Sequence, residues 1–158
     1  MKIDHANIVV ADMDRSVAFY ARLGMSQSLD TIISGTWIAN LTGLGGRELK
    51  ARVVFMETGG SGARLELIQY ITPASQGIAG SSSPNSLGLR HFALVVDDIQ
   101  KTYRELVEAG VSFFSEPQEV TGNPEVAARI GRKQLVYLLD PDGVIVELAE
   151  YGPPGNAA

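Results

Sequence analysis

Two stretches of the chain carry the same succession of apolar and polar positions, and each switches from a strand-like to a helix-like period at the same point. Residues 3–10, IDHANIVV, and 90–96, RHFALVV, are β-branched and apolar, as strands are. Asp12 and Asp98 follow where helix N-caps belong, with side chains able to accept unsatisfied backbone N–H groups. Apolar positions then recur at helical spacing: Val17, Tyr20 and Leu23 in the first stretch, Tyr103, Leu106 and Ala109 in the second. Gly24 and Gly110 supply the stop. Laid together without a gap, residues 3–25 and 89–111 place His5 on His91, Ile8-Val9-Val10 on Leu94-Val95-Val96, Asp12 on Asp98 and Gly24 on Gly110.

The repeat continues. Strands are expected at 25–33 and 111–115, then hairpins pairing 51–57 with 63–70 and 133–139 with 143–151. Their turns are TGGSG and DPDG, whose Gly, Pro and Asp supply the backbone angles. Residues 53–70 align gaplessly with 134–151, so Gly62 meets Gly143, Glu66 meets Glu147 and Tyr70 meets Tyr151. The pattern predicts an α+β fold of two tandem βαβββ modules: module one at 1–70, a Ser-, Gly- and Pro-rich linker at 71–88, module two at 89–151 and a short tail at 152–158. Modules this small bury a face poorly alone, so a single domain with a shared core is expected. Residues 34–50, with Trp37 and the stretch LTGLGG, have no counterpart in the second copy.

Composition narrows the partners. A charge of −5 and a pI near 5.0 argue against a nucleic-acid or anionic-membrane surface. The absence of cysteine removes thiolate chemistry and disulfides and makes a reducing cytoplasm the default. Neither a signal peptide nor a transmembrane run is expected.

Both histidines of the protein sit at one position of the repeat. Side chains alternate along a strand, so His5, Asn7 and Val9 share a face, as do His91, Ala93 and Val95. Glu66 and Glu147 interrupt the apolar strands RLELIQY and VIVELAEY, where an ionised carboxylate is costly unless paired or bound to a metal. A strand histidine alone is more often hydrogen-bonded or half-exposed than a ligand, and a strand glutamate usually faces solvent. Recurrence at matched positions shifts the balance toward one divalent ion, Zn, Ni, Co, Mn or Fe, held by His5, Glu66, His91 and Glu147. Asp12, Asp98, Asp140 and Asp142 read as caps and turns, and Trp37, Phe19 and Tyr103 as core or pocket wall. LTGLGG lacks the Lys-Ser/Thr ending of a phosphate loop.

The motifs DHANIVVADMDRSVAFY, LRHFALVVDDI, LELIQY and LVYLLDPDGVIVEL resemble the vicinal-oxygen-chelate superfamily of glyoxalase I, the bleomycin resistance proteins and the extradiol dioxygenases. The resemblance implies two modules curled into an incomplete barrel around one metal ion, with His5, Glu66, His91 and Glu147 as its ligands. It implies a substrate with adjacent oxygens and a homodimer. Extradiol dioxygenases use two histidines and one glutamate, so Glu66 favours the glyoxalase I and methylmalonyl-CoA epimerase branches: a lyase or isomerase that moves a proton beside a metal-polarised carbonyl. There Glu147 is the expected base, with Glu66 sharing the work. FYARLGM is one residue shorter than the usual glyoxalase I helix end, and the epimerases carry glutamine where Glu66 stands, so the substrate stays open. The alternatives are an Fe(II) dioxygenase and a metal-free binding or resistance protein.

Overall fold

Apolar alternation in short stretches produces the longer strands, and two capped amphipathic segments produce the helices that cover them. A computed structural model describes residues 1–46, 48–60, 62–77, 83–120 and 131–152. The chain divides into two compact units, Met1–Ile78 and Ala79–Ala158. The first contains β1 (His5–Val9), α1 (Met13–Arg22), β2 (Ser26–Gly35), α2 (Thr36–Leu41), β3 (Leu49–Glu57) and β4 (Arg64–Thr72). The second contains β5 (His91–Val95), α3 (Ile99–Glu108), β6 (Gln118–Glu119), β7 (Lys133–Leu139) and β8 (Ile145–Tyr151).

Each unit has one four-stranded mixed sheet, β1-β4-β3-β2 in the first and β5-β8-β7-β6 in the second. The first strand runs parallel to the last, because the helix between them returns the chain to the same end. Asp12 and Asp98 cap α1 and α3 as expected, accepting from the N–H groups of Arg15 and Lys101 at 3.0 and 2.8 Å. One sheet face packs on the helix: Val54, Met56, Leu65 and Leu67 with Met13, Phe19 and Tyr20 form the core of unit one. Val136, Leu138, Val146 and Leu148 with Ile99 and Leu106 do so in unit two. The opposite face of each sheet carries the histidine and the glutamate.

A residue of β4 and its counterpart in β8 also tie each helix to its sheet. Gln69 accepts from the Met13 N–H at 3.3 Å and donates to the Ala11 carbonyl at 2.9 Å. Glu150 accepts from the Ile99 N–H at 2.8 Å, placing a carboxylate on the first turn of α3 where the helix dipole favours it. Replacing Glu150 with alanine strips one of the four orphan donors of its partner, and urea denaturation should show a loss of about 1 kcal/mol. An unchanged midpoint would remove Glu150 from the helix anchor.

The structure departs from the sequence expectation at three places. The strand expected at 111–115 is only a bridge between Phe113 and Leu138, and regular pairing resumes at β6. Pro117 lies between, and a proline has no N–H to donate to a ladder. The gapless alignment of the hairpins is broken by one residue. Phe55 pairs opposite Glu66 and Tyr137 opposite Glu147, eleven and ten positions apart, because the first turn is one residue longer. Trp37, expected as core or pocket wall, is 62% exposed, its indole N–H donating to the Ser34 carbonyl at 3.1 Å. Its helix α2 instead buries Ile38 and Ala39 against Leu49 and Ala51, with Ile33, Ile68 and Tyr70 around them. Of these, Ile68 and Tyr70 share the sheet face of Glu66, so the segment without a counterpart covers one end of that face. Phe19 is buried, and Tyr103 stacks edge-on against Phe113 at 4.8 Å. The proposed linker lies partly outside the described residues, at 78–82, as does the tail from 153.

Candidate metal centre

Parallel pairing of the first and last strands sets histidine beside glutamate in each unit. In unit one, β1 lies against β4 with Asn7 opposite Glu66. In unit two, β5 lies against β8 with Ala93 opposite Glu147. The result is the same pair twice. His5 Nε2 lies 3.5 Å from Glu66 Oε2, and His91 Nε2 lies 3.4 Å from Glu147 Oε2. The aromatic residue of the neighbouring strand meets each imidazole edge-on, Phe55 at 5.6 Å and Tyr137 at 5.3 Å. Among the described residues, no three His, Cys, Asp or Glu side chains gather as a metal-binding group, so each unit by itself offers a pair.

The surroundings of the two pairs differ. His5 Nδ1 lies 2.9 Å from Asp4 Oδ2, and Arg64 engages the same carboxylate while its guanidinium lies over the Phe55 ring, 4.5 Å from the centroid. The hydrogen bond with His5 and then that with Arg64 hold the Asp4 carboxyl below its ordinary range. An ionised carboxylate only accepts, so it fixes the proton on Nδ1 and leaves the Nε2 lone pair facing Glu66. Among the described residues the Glu66 carboxylate has one further partner, the Asn7 amide, which donates to Oε2 at 3.2 Å. An open cavity of about 290 Å³ beside this network is lined by Lys2, Asp4, Glu57 and Arg64 among others and by none of the four expected ligands.

Glu147 is held more tightly. Lys133 Nζ donates to its Oε1 at 2.6 Å and the Tyr137 hydroxyl to its Oε2 at 2.8 Å. Burial pushes the Glu147 carboxyl up, but the bonds from Lys133 and Tyr137 outweigh it and leave the pKa below the ordinary value. Burial pulls Lys133 down, and its bond with Glu147 more than restores it. Burial and the adjacent carboxylate raise Tyr137, so its phenol remains a donor.

Both pairs suit a divalent ion. An imidazole nitrogen and a carboxylate oxygen about 3.5 Å apart are spaced as adjacent ligands, and the Asp4–His5 contact is the outer partner that ligating histidines usually have. In unit two, Lys133 occupies Oε1 and leaves a lone pair of Oε2 toward His91. Asp140, read as a turn residue, accepts from the N–H groups of Asp142 and Val144 at 2.9 and 2.7 Å. The sequence reading missed Asp4, Lys133 and Tyr137. The signal for Lys133 was present, since a lysine opens the apolar strand KQLVYLL four positions before Tyr137 and therefore on its face. The one-residue misalignment hid that Tyr137 stands where unit one has Phe55.

These observations define a tandem-repeat fold with a histidine–glutamate pair on the sheet face opposite the helix in each unit. The chain belongs to the Glyoxalase/Bleomycin resistance protein/Dioxygenase superfamily, whose profile matches residues 2–148. Among solved structures, a glyoxalase family protein from Bacillus cereus superposes with a TM-score of 0.82 at 23% identity, covering 97% of this chain and 95% of that one. The trypanothione-dependent glyoxalase I of Leishmania major gives 0.62 at 22%, covering 95% and 86%. A glyoxalase I variant from Zea mays gives 0.66 at 22%, covering 94% of this chain and 44% of that larger one. At these identities the likeness is one of fold. Among curated proteins, none matches the chain in sequence. No helix among the described residues is long and apolar enough to cross a membrane.

Proposed function

We propose that the protein is a divalent-metal-dependent lyase or isomerase, glyoxalase I-like or epimerase-like, that moves a proton beside a carbonyl of a small molecule with adjacent oxygens. One observation carries the reading: each unit sets a histidine Nε2 within 3.4–3.5 Å of a glutamate Oε2 at equivalent strand positions. His5, Glu66, His91 and Glu147 would hold one ion. Bound there, Zn, Ni, Co, Mn or Fe would act as a Lewis acid on the substrate carbonyl.

The chain's own residues then divide the work. The expected base was Glu147, with Glu66 sharing the role, and the surroundings favour the reverse. A base must reach the proton and hold it, and Glu147 is buried, clamped by two donors and biased toward the ionised form. Glu66 is 20% exposed, with no ammonium on it among the described residues, and is the carboxylate able to swing to a substrate proton. Asp4 orients His5, and the Tyr137 hydroxyl holds Glu147 Oε2, the oxygen that faces His91.

The test is NMR of a substrate α-proton in deuterated solvent, across 2-oxo hemithioacetals and acyl-CoA thioesters, with metal-loaded and stripped protein. Exchange that depends on the metal is the expected result, and oxygen-dependent ring cleavage would replace the mechanism by that of the Fe(II) dioxygenase. A second reading, a metal-free small-molecule binder, draws its support from Lys133, which already neutralises Glu147 without an ion. The proposal includes action in the cytoplasm as a single domain and a homodimer, the commonest closed oligomer. Sedimentation at micromolar concentration should show two chains, and a monomer alone would count against that assembly.

A further inference from the structure

The second unit holds an ammonium at a strand position where the first has alanine, Ala51. Lys133 pairs across the hairpin with Tyr151, and the equivalent partner of Tyr70 in unit one is Ala51. Lys133 is 16% exposed in its side chain, touches Glu147 at 2.6 Å and lies 5.4 Å from the centroid of the Tyr151 ring. A lysine this far buried against a carboxylate costs desolvation and side-chain entropy, and replacing such a pair with apolar residues is often neutral or stabilising. Stability alone is therefore a weak reason for this residue.

Its charge suggests another. On the ligand set proposed above, two ionised carboxylates balance a divalent ion, and the charge of Lys133 is then surplus. We propose that Lys133 selects the substrate: it leaves the loaded site net positive and so favours a molecule that brings an anionic oxygen, a carboxylate above all, next to the carbonyl that reacts. The ammonium has three donors, Glu147 takes one and the Tyr151 side chain is a second partner, so the third can donate directly to that group. Unit one has Phe55 in place of Tyr137 and an alanine in place of the lysine, so the selection acts from one side only. The anionic group is expected beside Glu147, where the ammonium lies.

The probe is oxalate, a small anion with vicinal oxygens, titrated calorimetrically into Mn(II)-loaded protein after the affinity for Mn(II) alone has been measured. Lys133→Gln keeps a donor for Glu147 Oε1 and removes the charge. It should bind oxalate on the order of tenfold or more weakly, with Mn(II) affinity equal or higher, because a repelling charge has gone. Lys133→Arg should keep most of the oxalate affinity, and the neutral ligand hydroxyacetone should not distinguish the variants. Equal oxalate affinity in wild type and Lys133→Gln would overturn the inference and leave the ligand set standing. So would a fall in Mn(II) affinity, which would make Lys133 a support for the ligand rather than a selector. Wild-type protein that takes up no divalent ion would remove the ligand set and this inference together. Should Lys133→Gln fail to fold, the arginine variant decides: oxalate affinity retained supports the role of charge, and lost affinity overturns it.

Discussion

Glu66→Gln should lower metal-dependent exchange of the substrate proton by a factor on the order of a hundred or more while the variant still takes up its ion. The amide oxygen can coordinate but cannot accept the proton, and among the described residues the polar partners of the Glu66 carboxylate are the Asn7 amide and the His5 ring. Glu147→Gln should behave differently. It leaves the Lys133 ammonium buried without its anion, so the larger effects are a stability loss on the order of 3 kcal/mol and weaker metal binding. Exchange rates per bound ion, read by NMR beside a denaturation curve, separate the two. Undiminished exchange in metal-loaded Glu66→Gln would return the role of base to Glu147.

Each chain should take up one divalent ion, and either His5→Ala or His91→Ala should lose tight binding. The loss is large because each removes the neutral nitrogen donor from its His–Glu pair. Affinity should fall with pH through the range in which imidazole takes a proton. The sign follows from competition: proton and metal use the same Nε2 lone pair, so acid favours release. In the first unit Asp4→Ala should weaken binding about tenfold or more by freeing the His5 ring, the usual cost of losing such a partner. Elemental analysis after stripping and reloading, with a competing chelator for affinity, checks all three. Two ions per chain, or a His91→Ala variant that loads normally, would end the shared-site reading.

The repeat, the capped helices, the hairpins and the matched His and Glu positions were legible in the order of residues. Each is written in a local code: period two for strands, Asp at the N-cap, Gly at the stop, turn residues between apolar runs. That code marks where an element starts and which side chains share its face, so it put His5 with Asn7 and Glu66 with Tyr70. It failed where a single residue decides register. One extra position in the first hairpin moved Phe55 opposite Glu66, and a proline reduced the strand expected at 111–115 to one bridge.

What the sequence by itself determined is the type of unit, its duplication and the matched positions of His5 with His91 and Glu66 with Glu147. Only the tertiary structure decided that the two glutamates are unequal. Lys133 and Tyr137 reach Glu147 across a strand pair, fourteen and ten positions away along the chain. Asp4 adjoins His5 in sequence, yet Arg64, which also holds it, arrives from a strand sixty positions on. Contacts of that kind depend on pairing register, which long-range hydrogen bonding fixes and local pattern does not. A carboxylate's charge state depends on what surrounds it in space, so its burial and its donors belong to the fold rather than to the string.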